Sequence, residues 1–184
     1  MNQSGEENID LDALRRGDAR AFSQLVARHQ ALVLSLCQSM GLQGADRDDA
    51  AAEVFAAVFR SVARFEGRSA LSTWVYRIAC RVIPKARQRY RQRGSESPEE
   101  DRADPRQTTP YQQSSQRETE HRVWDAVAQL DDRSAMAVEL HYRRGMGVEE
   151  IGQVLQCPPG TVKTLLFRAR AKLKTLLGAV ENES

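Results

Sequence analysis

Apolar residues in this chain recur mostly at intervals of three and four, the period of a helix with one buried face. In the N-terminal half Phe22, Leu25, Val26, His29, Leu32, Val33, Leu36 and Met40 form one such stripe. Asp18 stands where its carboxylate can cap the first turn, and Gly41 ends the stripe, with Gly44 in the turn beyond. Asp46 opens a second helix whose Ala51, Val54, Phe55, Val58 and Val62 share a face. Phe65-Glu66-Gly67-Arg68-Ser69 reads as a turn, after which Trp74, Val75 and Ile78 point inward from a third helix. A short helix over Leu11–Arg16 precedes all three.

The C-terminal half has the same period. Val123, Val127 and Leu130 mark a helix that starts near Glu120, and Asp131 or Asp132 caps the next, which runs to Gly145. Val148–Leu155 forms a short helix with Ile151 and Leu155 inward. Gln156-Cys157-Pro158-Pro159-Gly160 is a tight turn, and the last helix runs from Thr161 to about Leu177, with Val162, Leu166, Ala169 and Leu173 inward. Aromatics make up only 6% of the chain, which argues against a strand-rich fold. The predicted fold class is all-α: two small helical domains, residues 1–93 and 119–184, joined by a flexible linker, residues 94–118, with a helix-turn-helix in the second domain.

Composition narrows the chemistry. Apolar residues are 41% of 184, enough for a packed core. No apolar run approaches the ~18 residues of a membrane helix, and Met1–Asp10 is polar and acidic, with no secretory or transit pattern. Cys37, Cys80 and Cys157 are odd in number and widely spaced, which fits neither a disulfide framework nor a zinc site. They read as small core residues in a reducing cytosol. His29, His121 and His141 form no metal-binding pair, and no phosphate loop or nucleophile motif appears. The expectation is a protein that is not an enzyme and needs no metal or cofactor.

Net charge is only +2, but the charges are segregated. Residues 67–93 carry 8 basic side chains and no acid; residues 94–120 carry 7 acids against 3 bases; residues 163–174 carry 5 bases and no acid. The acidic stretch holds three prolines and one aromatic, too little apolar area to offset its ordering entropy. As a linker, residues 94–118 would span at most ~80–90 Å.

Three constellations follow. The inward stripe of the last helix leaves Lys163, Thr164, Phe167 and Arg168 facing out near its start, the part of a helix-turn-helix that enters a major groove. A solvated helical hairpin would share this spacing. In the N-terminal unit Arg77, Arg81, Lys85, Arg87, Arg89, Arg91 and Arg93 accompany Trp74, Tyr76 and Tyr90, a mixture suited to a strand with unstacked bases. Helix-dipole complementation is the plainer explanation, but seven bases without an acid exceed what a helix end needs. Trp74 itself reads as core. Asp46, Asp48, Asp49 and Glu53 complement the start of their helix and also suit docking on a basic protein surface.

These residues resemble, in order, the extracytoplasmic-function (group 4) sigma factors of bacterial RNA polymerase. The likeness covers about residues 18–92 and 121–177. It includes Arg20-Ala21-Phe22, Asp46-Arg47-Asp48-Asp49 with Glu53-Val54-Phe55, Arg64-Phe65-Glu66-Gly67-Arg68-Ser69 and Ser72-Thr73-Trp74-Val75-Tyr76-Arg77-Ile78-Ala79. In the second domain it includes Glu149-Glu150-Ile151, Gly160-Thr161-Val162-Lys163-Thr164 and Arg168-Ala169-Arg170. The resemblance implies a cytoplasmic monomer whose first domain binds core polymerase through Asp46, Asp48, Asp49 and Glu53. Arg68, Ser69, Ser72, Trp74, Tyr76, Arg77, Arg81 and Lys85 would meet the melted −10 element. The second domain would dock on the polymerase flap and meet the −35 element through Lys163, Thr164, Phe167 and Arg168. An anti-sigma factor is the further partner it implies. The chain departs from the family pattern at Arg81, Lys85 and Leu165, and it places Pro84 inside the basic helix. Two other readings stay open: a free-standing helix-turn-helix regulator, and a sigma-like protein that binds polymerase without opening promoters.

Overall fold

The structure, a computed structural model, describes residues 9–96 and 114–181. These residues form α1 (Leu11–Arg15), α2 (Ala19–Ser39), α3 (Gly44–Ser61), α4 (Leu71–Glu96), α5 (Ser114–Val127), α6 (Asp132–Val138), α7 (Val148–Leu155) and α8 (Pro159–Glu181), with no strand among them. The chain is all-α.

Local chemistry explains most boundaries. Asp10 caps α1 by accepting from the Asp12 and Ala13 amides, Asp18 caps α2 through the Ala21 amide, and Asp131 caps α6 through the Ser134 amide. Burial opposes ionisation of Asp131, but its hydrogen bonds from Ser134 outweigh it, and the carboxyl is held below its ordinary range. Asp46 is not the cap of α3. The helix starts at Gly44, with Gln43 at the cap position making no side-chain bond, and Asp46 sits in the first turn. There it still faces the positive end of the dipole. The last helix begins at Pro159, since a proline lacks only an N–H that the first turn leaves unpaired. α6 runs on into a π-helical turn, Glu139–Arg143, which a search for the 3.6-residue period does not reveal. α4 continues through Pro84, whose missing N–H leaves the Cys80 carbonyl without its usual donor.

The expected linker shortens at both ends, because α4 extends to Glu96 and α5 starts at Ser114. Its centre lies outside the described residues. α2, α3 and α4 pack on one another around Leu25, Leu36, Val54, Val58, Val75 and Ile83, with α1 against α2. α5 to α8 enclose Val127, Met136, Leu140, Ile151, Val162 and Ala169. Leu155 and Leu173, expected inward, are half-buried. The two halves also touch one another. α2 packs on α5 and α6, α4 packs on α7, and the buried apolar side chains form one continuous cluster.

Candidate nucleic-acid interface

α7 and α8 form the helix-turn-helix. Gln156 ends α7 in the left-handed region at φ 52°, and the Cys157 amide donates to the Gly152 carbonyl (3.0 Å). Gly152 is buried at the crossing, where a Cβ would lie 2.8 Å from the Cys157 carbonyl oxygen and 3.8 Å from Val162 Cγ2. Only glycine lets the two helices approach this closely. Val162, Leu166 and Ala169 pack inward. Lys163, Thr164 and Arg168 are exposed, and Phe167 is 68% exposed. The Thr164 hydroxyl donates to the Gly160 carbonyl (3.0 Å), which leaves its oxygen free to accept.

Asp46, Asp48 and Asp49 are exposed on α3, and Glu53 is half-buried. Asp48 accepts from Arg47 (2.9 Å), and Glu53 pairs with Arg89 of α4. Exposed pairs of this kind contribute little, about 0–1 kcal/mol. The acids therefore remain available as a negative surface.

Of the eight residues expected at the −10 element, Ser69 and Ser72 line one pocket, Trp74, Arg77 and Arg81 line another, and Arg68, Tyr76 and Lys85 line neither. Ser69 and Ser72 line an open pocket of about 820 Å³ under the turn before α4, together with Asp12, Arg15, Arg28, His29 and Phe65. Arg68 stands exposed beside it, paired with Glu66 (2.8 Å). Arg15 holds the turn in place: its Nε and Nη2 both donate to the Phe65 carbonyl (3.0 and 2.8 Å), and its Nη1 donates to Asp12. His29 is 7% exposed, with no hydrogen-bond partner at Nε2. Burial pushes its pKa down, and the nearby Arg28 adds to the effect.

Trp74, Arg77 and Arg81 line a second cavity of about 500 Å³, between the two halves. Arg64 and Pro84 join them from the N-terminal side, and Asp132, Arg133 and Leu155 from the C-terminal side. Arg77 Nε donates to the Gln153 carbonyl of α7 (2.8 Å). Trp74 packs against the core, its ring 5.0 Å from that of Phe65. Tyr76 is half-buried; burial raises its hydroxyl pKa and the charge of Arg144 opposes the rise. Lys85 is exposed. Within the basic run, Arg87 is buried against Asp132 and the Ala128 carbonyl, so it serves the fold.

Arg15, Arg28 and Arg133 escaped the sequence reading. Arg15 and Arg133 belong to no basic run, and Arg28 had only His29 beside it in an apolar stripe. Burial pushes the thiols of Cys37 and Cys80 up to about 12, which keeps both protonated and unreactive at neutral pH. Among the described residues no cluster of His, Cys, Asp and Glu could hold a metal, and no helix is long and apolar enough to cross a membrane.

This arrangement has relatives. Residues 25–95 match the family Sigma-70 region 2, and residues 120–173 match Sigma-70, region 4. The chain is 31% identical to the RNA polymerase sigma-H factor of Pseudomonas aeruginosa over the full length of both. It is 30% identical to the ECF RNA polymerase sigma-E factor of Haemophilus influenzae, covering 89% of this chain and 91% of that one. Among solved structures it is similar to CnrH in complex with the cytosolic domain of CnrY, at TM-score 0.69 and 26% identity, covering 94% of this chain and 99% of that chain. It shares its fold with the sigma factor RpoE of Bartonella quintana, determined with the anti-sigma factor NepR, at TM-score 0.65 and 21% identity over 87% of this chain and 98% of that one. With region 2 matched in its first half, region 4 in its second and relatives 30% and 31% identical over nearly their whole length, the chain belongs to the extracytoplasmic-function sigma factors, the initiation factors of bacterial transcription.

Proposed function

We propose that this chain binds core RNA polymerase and directs it to promoters by reading the −35 element with α8 and opening the −10 element with its N-terminal helices. Residues 1–93 then act as the polymerase-binding and −10 domain, and residues 119–184 as the −35 domain. The observation that carries the reading is the exposed face of Lys163, Thr164, Phe167 and Arg168 over the buried Val162, Leu166 and Ala169 of α8. Arg and Lys there match guanine acceptors and phosphates in a major groove. Asp46, Asp48, Asp49 and Glu53 are the proposed polymerase contacts. The pocket lined by Ser69 and Ser72 has room for an extruded base, and Arg68 stands at its side.

Extruding a base costs a few kcal/mol, so the free protein binds promoter DNA weakly and needs polymerase to hold the duplex beside the pocket. The complexes of CnrH with CnrY and of RpoE with NepR support an anti-sigma partner for this chain as well. The proposed work is binding and melting, with no covalent step, in the cytoplasm where polymerase resides.

The test is co-migration of the purified, folded chain with bacterial core RNA polymerase on size exclusion; two separate peaks would overturn the proposal. Promoters are then selected from a randomised library by run-off transcription. Arg168→Ala should lower initiation from the −35-bearing winners about tenfold, from the ~1–3 kcal/mol of a base contact, and leave co-migration intact. Reversing Asp48 and Asp49 to Lys should do the opposite. Co-migration is lost, while folding stability changes by under ~1 kcal/mol per charge.

A further inference from the structure

Four arginines surround the cavity of about 500 Å³ between the two halves. Arg64, Arg77 and Arg81 stand on its N-terminal wall and Arg133 on its C-terminal wall. Among the described residues Asp132 is the one acid that lines it, and its carboxylate is paired with Arg87. Like charges gathered on one cavity repel, and an anion among them lowers that energy. The arginines are largely free to meet one. Arg64 and Arg81 are exposed and have no hydrogen bond or ion pair. Arg77 gives only its Nε to the Gln153 carbonyl (2.8 Å), and Arg133 only its Nη2 to the Leu155 carbonyl (3.1 Å). The remaining N–H groups of both forks are unclaimed. The rest of the lining goes beyond a plain phosphate site. Trp74, Ile78, Met136 and Leu155 give the cavity apolar surface from both halves. Cys80 and Pro84 line it as well, so the carbonyl that Pro84 leaves without its usual donor lies on this wall.

We infer that this cavity is a small-molecule site whose ligand is a nucleoside di- or triphosphate. The planar guanidinium fork matches phosphate oxygens two at a time. The Trp74 indole and the guanidinium planes offer faces on which a heterocyclic base stacks. The Cys80 carbonyl and the Asp132 carboxylate accept from an exocyclic amine or a sugar hydroxyl. The cavity's size falls within the ~300–1,000 Å³ of small-molecule sites. Such a ligand touches both walls at once, Arg64 on one and Arg133 on the other, which a DNA strand lying along α4 does not. The inference is independent of the function proposed above.

The test is isothermal titration calorimetry of the full chain at physiological ionic strength, with ATP, inorganic triphosphate and adenosine as probes. ATP should bind more tightly than either fragment, because phosphates and base meet different parts of the lining. Arg64→Ala and Arg133→Ala, one on each wall and neither among the proposed DNA contacts, should each weaken ATP about tenfold, the loss of one charge-assisted hydrogen bond. Arg122→Ala removes an exposed charge outside the cavity. It should change ATP binding by less than about twofold, since salt screens charges more than ~8 Å away. Circular dichroism confirms that each variant keeps its helices. With no variant involved, saturating ATP should raise the melting temperature of the unaltered chain, because it binds the folded state. A dissociation constant weaker than about 1 mM would overturn the inference. Equal losses in all three variants would overturn it too, as diffuse attraction to a basic protein, and triphosphate as tight as ATP would overturn the nucleoside assignment. A random-sequence single-stranded DNA 20-mer separates free nucleotide from nucleic-acid backbone. Its affinity should survive Arg133→Ala; a loss as large as that for ATP would assign the cavity to nucleic acid and overturn the inference.

Discussion

A histidine occupies an inward position of α2 that apolar neighbours would fill without cost. His29 is buried beside the pocket, and its pKa is pushed below the ordinary 6.5 by burial and by Arg28. Between that lowered value and 6.5 the unfolded chain binds more protons than the folded one, so stability falls as pH drops through 6.5 and stops falling below the folded pKa. The urea midpoint should therefore drop more between pH 7.5 and 5.5 for the unaltered chain than for His29→Gln. Parallel slopes would mean the imidazole is not buried neutral. Arg15 works at the same scale. Removing its two bonds to the Phe65 carbonyl by Arg15→Ala should cost about 1–3 kcal/mol in chemical denaturation, and Arg15→Lys should recover part of it. The position of His29 on an inward stripe was legible in the sequence, but its orphaned nitrogen was not. Arg15 gave no sequence signal, because its partner lies 50 residues away.

At the scale of elements, helices were legible because caps and periodicity are local. Asp18, Asp131 and Gly41 act within one turn of their own position. Elements were less legible where a distant neighbour decides them. Nothing local announces the π-helical turn that aims Glu139 at α2, nor the persistence of α4 through Pro84. Gly152 belongs here as well. Read locally it is a weak residue in a short helix, but it permits the α7–α8 crossing. Gly152→Ala pushes a methyl onto a backbone carbonyl that cannot rotate away, so a loss of about 1–3 kcal/mol is expected. Thermal melting checks it; an unchanged Tm would show the crossing to be looser than the structure has it.

The whole molecule is held shut by a buried carboxylate shared between the two halves. Glu139→Ala leaves the Ser35 and Ser39 hydroxyls without their acceptor and removes the charge that the Arg143 and Arg144 guanidinium groups face at 3.8 Å. It should cost about 3 kcal/mol or more by urea unfolding. A loss under about 1 kcal/mol would mean that the junction does not form in solution. This scale also revises the reading of the basic run, which looked like one nucleic-acid surface. Among its described side chains are a structural bond (Arg87), an ion pair with α3 (Arg89), two in the inter-half cleft (Arg77, Arg81) and two in open solvent (Lys85, Arg91).

By itself the sequence determined the helices, the helix-turn-helix, the outward face of Lys163, Thr164, Phe167 and Arg168, and the family. Each of these rests on residues within a few turns of one another, where hydrophobic period, caps and motif spacing record the physics directly. Only the tertiary structure decided that the halves touch each other, that five of the −10 candidates line a pocket or a cleft, and which arginines are engaged. The physical reason is distance along the chain. Ser35 and Glu139 meet across 104 residues, and no local pattern shows which carboxylate will find which hydroxyl once water is excluded.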